Sequence, residues 1–169
     1  MRKHPSTHAV QGRRARPTGR GEVRVIAGQW RSRKLAFPDV PGLRPTPDRV
    51  RETLFNWLGH DLSGFRCLDL YAGSGALGFE ALSRGAAAVV MVERNPQVVR
   101  ALEQSAATLA ASRLQIVCAD ALEFVRDAGK RTVNVPCFDV IFLDPPFGEG
   151  VSHAVLQWLP PLLASGGRV

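Results

Sequence analysis

Short apolar runs separated by longer amphipathic stretches occupy the chain from residue 67 onward. Four of these runs have the length and residue types of buried strands, and they lie at residues 67–71, 88–92, 114–117 and 138–143. Strands that alternate with helices in this way predict βαβ units on a mostly parallel, doubly wound sheet, which is an α/β fold. An acidic residue lies at or just after the end of each strand: Asp69, Glu93, Asp120 and Asp144. Because open α/β sheets bind ligands beyond the carboxyl ends of their strands, these acids predict a binding site.

The N-terminal part has a different pattern. Residues 22–35 alternate loosely between apolar and polar positions around a glycine, which predicts a short hairpin with arginine at its exposed positions. After a stretch rich in proline and glycine, a helix is predicted from about residue 47 to 58, with Thr46 as its N-cap and a proline at its first position. The predicted inner face carries Val50, Leu54, Trp57 and Leu58. The opposite face would then turn Arg49 and Arg51 toward solvent.

Composition adds limits on the class of protein. The 169 residues suffice for one domain with a sizeable core, and 45% hydrophobic with 22% charged residues is ordinary for a globular protein. The sequence has neither a long apolar run nor an apolar N-terminal segment, so we expect a cytoplasmic protein that makes no membrane contact. The cysteines lack C-x-x-C spacing and nearby histidines, which predicts reduced, mostly buried thiols and no metal site: Cys67, Cys118 and Cys137.

The net charge of +7 is concentrated at the N-terminus. Residues 1–66 hold 14 of the 22 lysines and arginines but only 5 of the 15 acidic residues. Such a segment indicates either a phosphate-binding extension on a catalytic body or a solubilising tail. We therefore expect a disordered basic tail at residues 1–21, a basic extension of hairpin and helix at residues 22–62, and a catalytic domain at residues 63–169.

A glycine-rich turn at residues 69–78 follows the first strand of the predicted sheet and precedes a helix. Glycines let the backbone turn sharply and approach a ligand, and the helix N-terminus offers free N–H groups, so this turn predicts a nucleotide-like cofactor. Residues 73–78 also fit the G-x-G-x-x-G pattern, with Glu93 at the spacing of a ribose-binding acid. Taken alone, the turn does not separate S-adenosylmethionine from NAD.

The tetrapeptide Asp144-Pro145-Pro146-Phe147 directly follows the fourth strand. Prolines have no N–H to donate, so this loop presents carbonyl oxygens and a carboxylate as a rigid set of acceptors, which suits an amino group. Phe147 would offer a flat surface on which a purine stacks. The plainer alternative is a proline turn that ends a strand, followed by a core phenylalanine.

These motifs together resemble a known family. Residues 24–35, 43–58 and 68–75, with the Asp-Pro-Pro-Phe loop, are similar to the RsmD-type bacterial methyltransferases, which modify guanine N2 in 16S rRNA of the small ribosomal subunit. The likeness runs from about residue 24 to residue 169. It implies a Rossmann-like class I methyltransferase fold, S-adenosyl-L-methionine as cofactor, and a specific guanine of an assembling 30S subunit as target. It further implies a monomer that needs no metal and no covalent intermediate.

The resemblance also assigns site residues. Asp69 and the glycine turn would hold the methionine part of the cofactor, Glu93 the ribose, and Asp120 with the Ala121 backbone the adenine. The full cofactor-binding set is Asp69, Ala72, Gly73, Ser74, Gly75, Glu93, Arg94, Asp120 and Ala121. Asp144 and the Pro145 carbonyl would accept hydrogen bonds from the guanine amine, within a catalytic set of Asp144, Pro145, Pro146 and Phe147.

Six cations are the candidate RNA-binding residues that the resemblance implies: Arg24, Arg31, Arg33, Lys34, Arg44 and Arg49. The segment from Arg44 to Thr46 would lie near the cofactor cleft. Each of the six is also compatible with an ordinary solvated surface position.

Some alternatives stay open at this point. An adenine-N6 methyltransferase acting on DNA uses the same proline loop, an NAD-dependent oxidoreductase would explain the glycine turn and Glu93, and a non-catalytic RNA-binding factor could keep the fold.

Near the C-terminus, residues 166–169 predict a turn that leads to a fifth strand that is absent, so we expect the C-terminal strands of the sheet to be missing.

Overall fold

The N-terminal part of the computed structural model consists of a hairpin and a helix. The structure describes residues 20–130, 137–146 and 153–169. Strands β1 (Arg20–Arg24) and β2 (Lys34–Pro38) pair antiparallel, with Val23 opposite Leu35, and helix α1 spans Asp48–Leu58. Val23 and Leu35 are both buried. The predicted hairpin and helix are therefore confirmed. Of the tail predicted at residues 1–21, Arg20 and Gly21 belong to β1, which corrects its boundary, and residues 1–19 lie outside the described residues.

The face that α1 turns inward differs from the prediction. Val50 and Trp57 are 53% and 78% exposed, whereas Arg51 and Phe55 are buried. The prediction was thus wrong for Val50, Trp57 and Arg51, whereas Leu54 and Leu58 pack against the core and Arg49 is exposed, as predicted. The physical reason is that Arg51 finds buried acceptors, which a pattern of apolar spacing does not reveal. Thr46 is also not the N-cap, because Pro47 holds that position and no side chain caps the helix.

The remaining elements alternate between strands and helices. They are β3 (Arg66–Asp69), α2 (Ala76–Ser83), β4 (Ala88–Glu93), α3 (Pro96–Leu109), β5 (Leu114–Cys118), α4 (Ala121–Gly129), β6 (Phe138–Phe142), α5 (His153–Leu156), a 3-10 turn (Pro160–Leu162) and β7 (Leu163–Arg168). Strands β3 to β7 form one parallel sheet with the spatial order β5-β4-β3-β6-β7. The α/β fold predicted from the sequence is confirmed.

The order of the strands reverses between β3 and β6. The chain first builds outward from β3 through β4 to β5, and then returns to place β6 on the other side of β3. In the register of this central pair, Asp69 lies beside Phe142. A reversal of this kind opens a crevice at the carboxyl ends of the two strands. The fold therefore brings the ends of β3 and β6 together at one potential binding site.

Two hydrophobic clusters involve alternate residues of the central strands. On β3, Cys67 belongs to the cluster that includes residues of the hairpin, α1, α2 and α3, whereas Leu68 belongs to the cluster that includes residues of α4 and α5. Successive side chains of a strand point to opposite faces, so the two clusters lie on opposite faces of the sheet. The N-terminal hairpin and helix therefore share a core with the sheet.

The C-terminal residues correct one expectation. Instead of a turn that precedes an absent strand, residues Leu163–Arg168 themselves form β7, the fifth strand, which pairs with β6 across an irregularity between Phe138 and Val140. The strand was not predicted because it contains Gly166 and Gly167, and glycine is depleted in strands and typical of turns.

All three thiols are free, but Cys118 and Cys137 are exposed and only Cys67 is buried, so the expectation of mostly buried thiols was wrong. Within the described ranges, no helix combines the length and the apolar character that a membrane span requires.

Candidate active site

A cleft of about 500 Å³ lies at the carboxyl ends of the parallel strands. Its walls come from the segment before α1 and from the loops that follow β3, β4, β5 and β6. Grouped by position along the chain, the lining residues include residues 40–46, 70–74, 92–95, 119–122 and 144–146. The volume is within the range of about 300–1,000 Å³ that is usual for small-molecule sites. The cleft brings together loops that the sequence analysis assigned to the cofactor and to the target.

Asp69 lies beneath this cleft at the end of β3 and is 1% exposed. Its Oδ2 accepts a hydrogen bond of 3.0 Å from the Gly78 amide, while Oδ1 is buried and has no partner of hydrogen-bonding geometry among the described residues. Burial raises the pKa of Asp69 to about 7; the charges of Asp144 and Glu93 add to the rise, and the Gly78 and Tyr71 amides oppose it. A buried carboxylate oxygen without a partner is costly unless a ligand donor satisfies it.

The glycine turn requires glycine at specific positions. Gly75 has a φ of 77°, and a Cβ there would lie 2.6 Å from the Phe79 ring and 2.7 Å from a Leu102 methyl carbon. At Gly78, the third glycine of the pattern, a Cβ would lie 2.3 Å from the Met91 side chain. The turn therefore packs α2 closely against the sheet, with the first amides of that helix toward the turn.

Glu93 and Asp120 end the next two strands and are held by backbone amides. Glu93 accepts 3.0 Å and 2.8 Å bonds from the amides of Gly73 and Asn95 through its two carboxylate oxygens. Asp120 caps α4, since its Oδ1 accepts a 2.9 Å bond from the Leu122 amide. Oδ2 of Asp120 has no partner among the described residues. Both acids are thus fixed in place and keep acceptor capacity toward the cleft.

Asp144 follows β6 and is exposed at the cleft. Its Oδ2 accepts a hydrogen bond of 2.5 Å from the Thr46 hydroxyl. Pro145 and Pro146 also line the cleft. Phe147, the last member of the predicted catalytic set, lies outside the described residues. Of the predicted cofactor residues, all line the cleft except Asp69, which is buried below it, and Gly75, which shapes the turn.

The cleft-wall segment, residues 40–46, forms one side of this site. Only Arg44 to Thr46 of this segment were predicted to lie near the cleft, so the contribution of residues 40–43 was missed. Leu43 approaches the glycine turn so closely that a Cβ on Gly73 would lie 3.1 Å from its Cδ1. The proline and glycine content of the segment predicts a loop, but it does not predict which part of the protein that loop packs against.

The candidate RNA-binding cations differ in their surroundings. Arg24 pairs with Asp48 at 3.3 Å and Lys34 pairs with Glu22 at 2.9 Å; the Asp48 side chain is 45% exposed and the other three are more exposed. The other candidates are exposed and form no ion pair with any residue of the described ranges: Arg31, Arg33, Arg44 and Arg49. Only Arg44 lines the cleft.

A buried charged network lies behind the cleft and was not predicted. The carboxylate of Glu80 on α2 is fully buried and accepts hydrogen bonds from the amides of Ile26 and Ala27, at 2.7 Å and 3.0 Å. It also accepts from the guanidinium groups of Arg51, at 3.3 Å, and Arg84, at 2.8 Å. Since Glu80 bonds to the loop after β1, to α1 and to its own helix, it ties the N-terminal extension to the body of the protein.

Comparison with known proteins places this geometry in a family. The family model described as "Conserved hypothetical protein 95" matches residues 23–168. The Escherichia coli ribosomal RNA small subunit methyltransferase D is 46% identical over 142 residues, which cover 84% of this chain and 69% of that protein. The chain belongs to this methyltransferase family. The Haemophilus influenzae member of the family is 44% identical over 153 residues, covering 86% of this chain and 77% of that protein.

Solved structures agree with the family in their fold. The Escherichia coli protein yhhF, described as a methyltransferase, has a TM-score of 0.73 at 44% identity and covers 85% of this chain and 76% of that one. A precorrin-6y C5,15-methyltransferase from Geobacter metallireducens shares only the fold, with a TM-score of 0.61 at 23% identity over 78% of this chain and 64% of its own. The Rossmann-like class I methyltransferase fold is therefore confirmed.

Proposed function

We propose that this protein transfers a methyl group from S-adenosyl-L-methionine to the exocyclic N2 amine of one guanine in 16S rRNA, within an assembling small ribosomal subunit. We further propose that it acts as a monomer in the cytoplasm. The observation that carries the proposal is the position of Asp144 and Pro145, a set of acceptors that line the cleft near the buried Asp69, whose Oδ1 has no hydrogen-bond partner among the described residues. The names of the relatives, which specify ribosomal RNA of the small subunit, support the choice of substrate.

The residues of the cleft fit the proposed cofactor. Oδ1 of Asp69 is a buried acceptor with no donor among the described residues, and the ammonium group of the methionine part would donate a hydrogen bond to it. Glu93, anchored by two amides, would accept from the ribose hydroxyls, and the free Oδ2 of Asp120 with the Ala121 amide would hold the adenine edge. When bound, the cofactor would supply the methyl group on a sulfonium and leave as S-adenosylhomocysteine, while the exposed Asp144 carboxylate would take the proton that the amine loses and pass it to solvent.

The proline loop would act on the target amine. An oxygen of Asp144 and the Pro145 carbonyl accept the N–H groups of the amine, which turns its lone pair toward the methyl group. The same two oxygens stabilise the positive charge that develops on nitrogen during the transfer. Because both prolines restrict the backbone, these acceptors need little rearrangement when the target binds.

The test uses the full chain with a radiolabelled methyl donor and three substrates: unmethylated 30S particles, naked ribosomal RNA and DNA. Label in guanine of the particle, released as N2-methylguanine on hydrolysis, is the expected result. Label in DNA adenine alone would overturn the proposed substrate. The absence of any heat on titration with S-adenosylhomocysteine, together with measurable NADH binding, would overturn the proposed cofactor.

Cofactor affinity is expected to increase with pH. The pKa of Asp69 is about 7, and only the ionised carboxylate attracts an ammonium group fully. The affinity for S-adenosylhomocysteine should therefore rise about tenfold between about pH 6 and about pH 8, as the ionised fraction of a group with this pKa rises. Calorimetry across this range measures the effect. The Asp69→Asn variant should bind weakly at every pH, and a flat profile for the unchanged protein would contradict the role of Asp69.

RNA binding is expected to depend on the exposed arginines of the β1–β2 connection. Replacing Arg31 and Arg33 together with alanine removes two cations that have no ion-pair partner among the described residues. The dependence of log affinity for 30S particles on log salt should become shallower by about two, since each lost phosphate contact lowers the slope by about one. Filter binding at several salt concentrations measures the slope.

The matched control for this prediction is removal of two arginines of the catalytic body. Arg113 and Arg126 are likewise exposed, and their double alanine variant should keep the original slope. An equal change of slope in both double variants would mean that the effect arises from net charge and not from a contact of the hairpin with RNA.

A further inference from the structure

The hydrogen bond between Thr46 and Asp144 joins the two parts of the chain at the proposed reaction centre. Thr46 lies just before α1, 98 residues away from Asp144 in the sequence, and its hydroxyl donates to Oδ2 of the carboxylate. Asp144 is exposed, and no other hydrogen bond to its carboxylate comes from the described residues. The orientation of the carboxylate that meets the target amine is thus set by a residue of the N-terminal extension.

Thr46 is itself held firmly. Prolines flank it on both sides at positions 45 and 47, which restricts the backbone of this short stretch. Its carbonyl oxygen accepts a 3.1 Å hydrogen bond from Nε of Arg51, which is 1% exposed. Arg51 is fixed in turn by Asp48, the Arg24 carbonyl and Glu80, at 2.6 Å, 2.9 Å and 3.3 Å. These hydrogen bonds fix the position of Thr46 and connect it, through Arg51, to Glu80 of α2.

A carboxylate without such a bond would be free to rotate. The last torsion of aspartate has a broad, roughly two-fold profile, so an exposed aspartate samples many orientations. A donor on Oδ2 selects one orientation and leaves Oδ1 as the acceptor for the target. A loss of alignment of this kind lowers a rate more than it lowers an affinity, because the reaction depends steeply on the approach geometry.

We propose that Thr46 is a positioning residue for methyl transfer: its hydroxyl orients Asp144 so that Oδ1 and the Pro145 carbonyl face the target amine together. The inference rests on the proposed function. It assigns to the N-terminal extension a second role beside RNA binding, because Arg51 and Glu80 determine where Thr46 lies. The orientation of Asp144 then depends on how the extension packs.

The test compares Thr46→Val, which keeps the size and branching but loses the hydroxyl, with Thr46→Ser, which keeps the hydroxyl. We expect kcat of the valine variant to fall about tenfold, or further, with KM for 30S particles within about twofold of the original. Affinity for S-adenosylhomocysteine and the melting temperature should stay unchanged in both variants. The serine variant should keep kcat within about threefold of the original, because its hydroxyl makes the same bond.

Three results would overturn the inference while the original protein methylates its particle. They are an unchanged kcat in the valine variant, an equal loss in the serine variant, and a loss confined to cofactor affinity. If the unchanged protein transfers no label to any RNA, the proposed function fails and the inference fails with it. The activity of the unchanged protein therefore distinguishes the two failures.

Discussion

Replacement of Asp144 with alanine is expected to lower kcat for methyl transfer at least about 100-fold, the scale of loss when one preorganised electrostatic group of a reaction centre is removed. The carboxylate is the only charged acceptor of the proline loop among the described residues, so its loss leaves the amine poorly oriented and its developing charge without a counterion. Single-turnover measurements with labelled cofactor and unmethylated 30S particles give the rate.

Cofactor binding provides the internal control for this variant. Asp144 is exposed, whereas the proposed cofactor contacts come from β3, β4 and β5, so the dissociation constant for S-adenosylhomocysteine should stay within about threefold of the original. Glu103→Ala, which removes an exposed carboxylate from α3, should leave both kcat and cofactor binding unchanged. If the Asp144 variant loses rate and cofactor binding together, Asp144 holds the cofactor and the proposed role is misplaced.

Replacement of Glu80 with alanine is expected to reduce the free energy of unfolding by about 3–5 kcal/mol, because loss of one partner leaves the others of a buried ion pair uncompensated. Arg51 and Arg84 would keep buried guanidinium groups without a carboxylate, and the amides of Ile26 and Ala27 would lose their acceptor. For a chain of this size the melting temperature should fall by about 6–20 °C. Calorimetric melting and urea unfolding measure the two quantities.

A second substitution keeps this prediction testable if the alanine variant fails to fold. Glu80→Gln retains a carbonyl acceptor and the volume of the side chain, so its loss of stability should be smaller, about 1–3 kcal/mol. Glu123→Ala on the exposed surface of α4 is the control and should change stability by less than about 0.5 kcal/mol. A Glu80→Ala variant as stable as the control would show that the buried network contributes nothing to the fold.

The strands and the acids of the cleft could be predicted because their signals are local. A buried strand appears in the sequence as a short apolar run, and the carboxyl ends of parallel strands meet at one edge. The sequence therefore predicted that acidic residues lie at or just after the strand ends, and the structure has them there: Asp69, Glu93, Asp120 and Asp144. The glycine turn was predictable for the same reason, since its geometry depends on residues close together in the chain.

The orientation of α1 could not be predicted because it depends on a distant residue. Arg51 is buried since Glu80, 29 positions later, supplies its counterion, and no local pattern indicates that pairing. Trp57 was assigned to the core on the strength of its apolar surface, yet it is 78% exposed. The bond from Thr46 to Asp144 escaped prediction likewise, because the sequence indicates a helix cap for Thr46 and the bond spans most of the chain.

The shared hydrophobic core of the hairpin and the sheet has a consequence for the way this protein can change. Trp30 of the hairpin connection packs edge-on against Phe79 of α2, with ring centres 6.5 Å apart. A chain shortened to residues 63–169 would lack Trp30 and would present the ring of Phe79 to water, which favours aggregation. The extension is consequently no detachable module: its outward arginines can change independently of the rest of the fold, whereas its inward residues must evolve in step with α2.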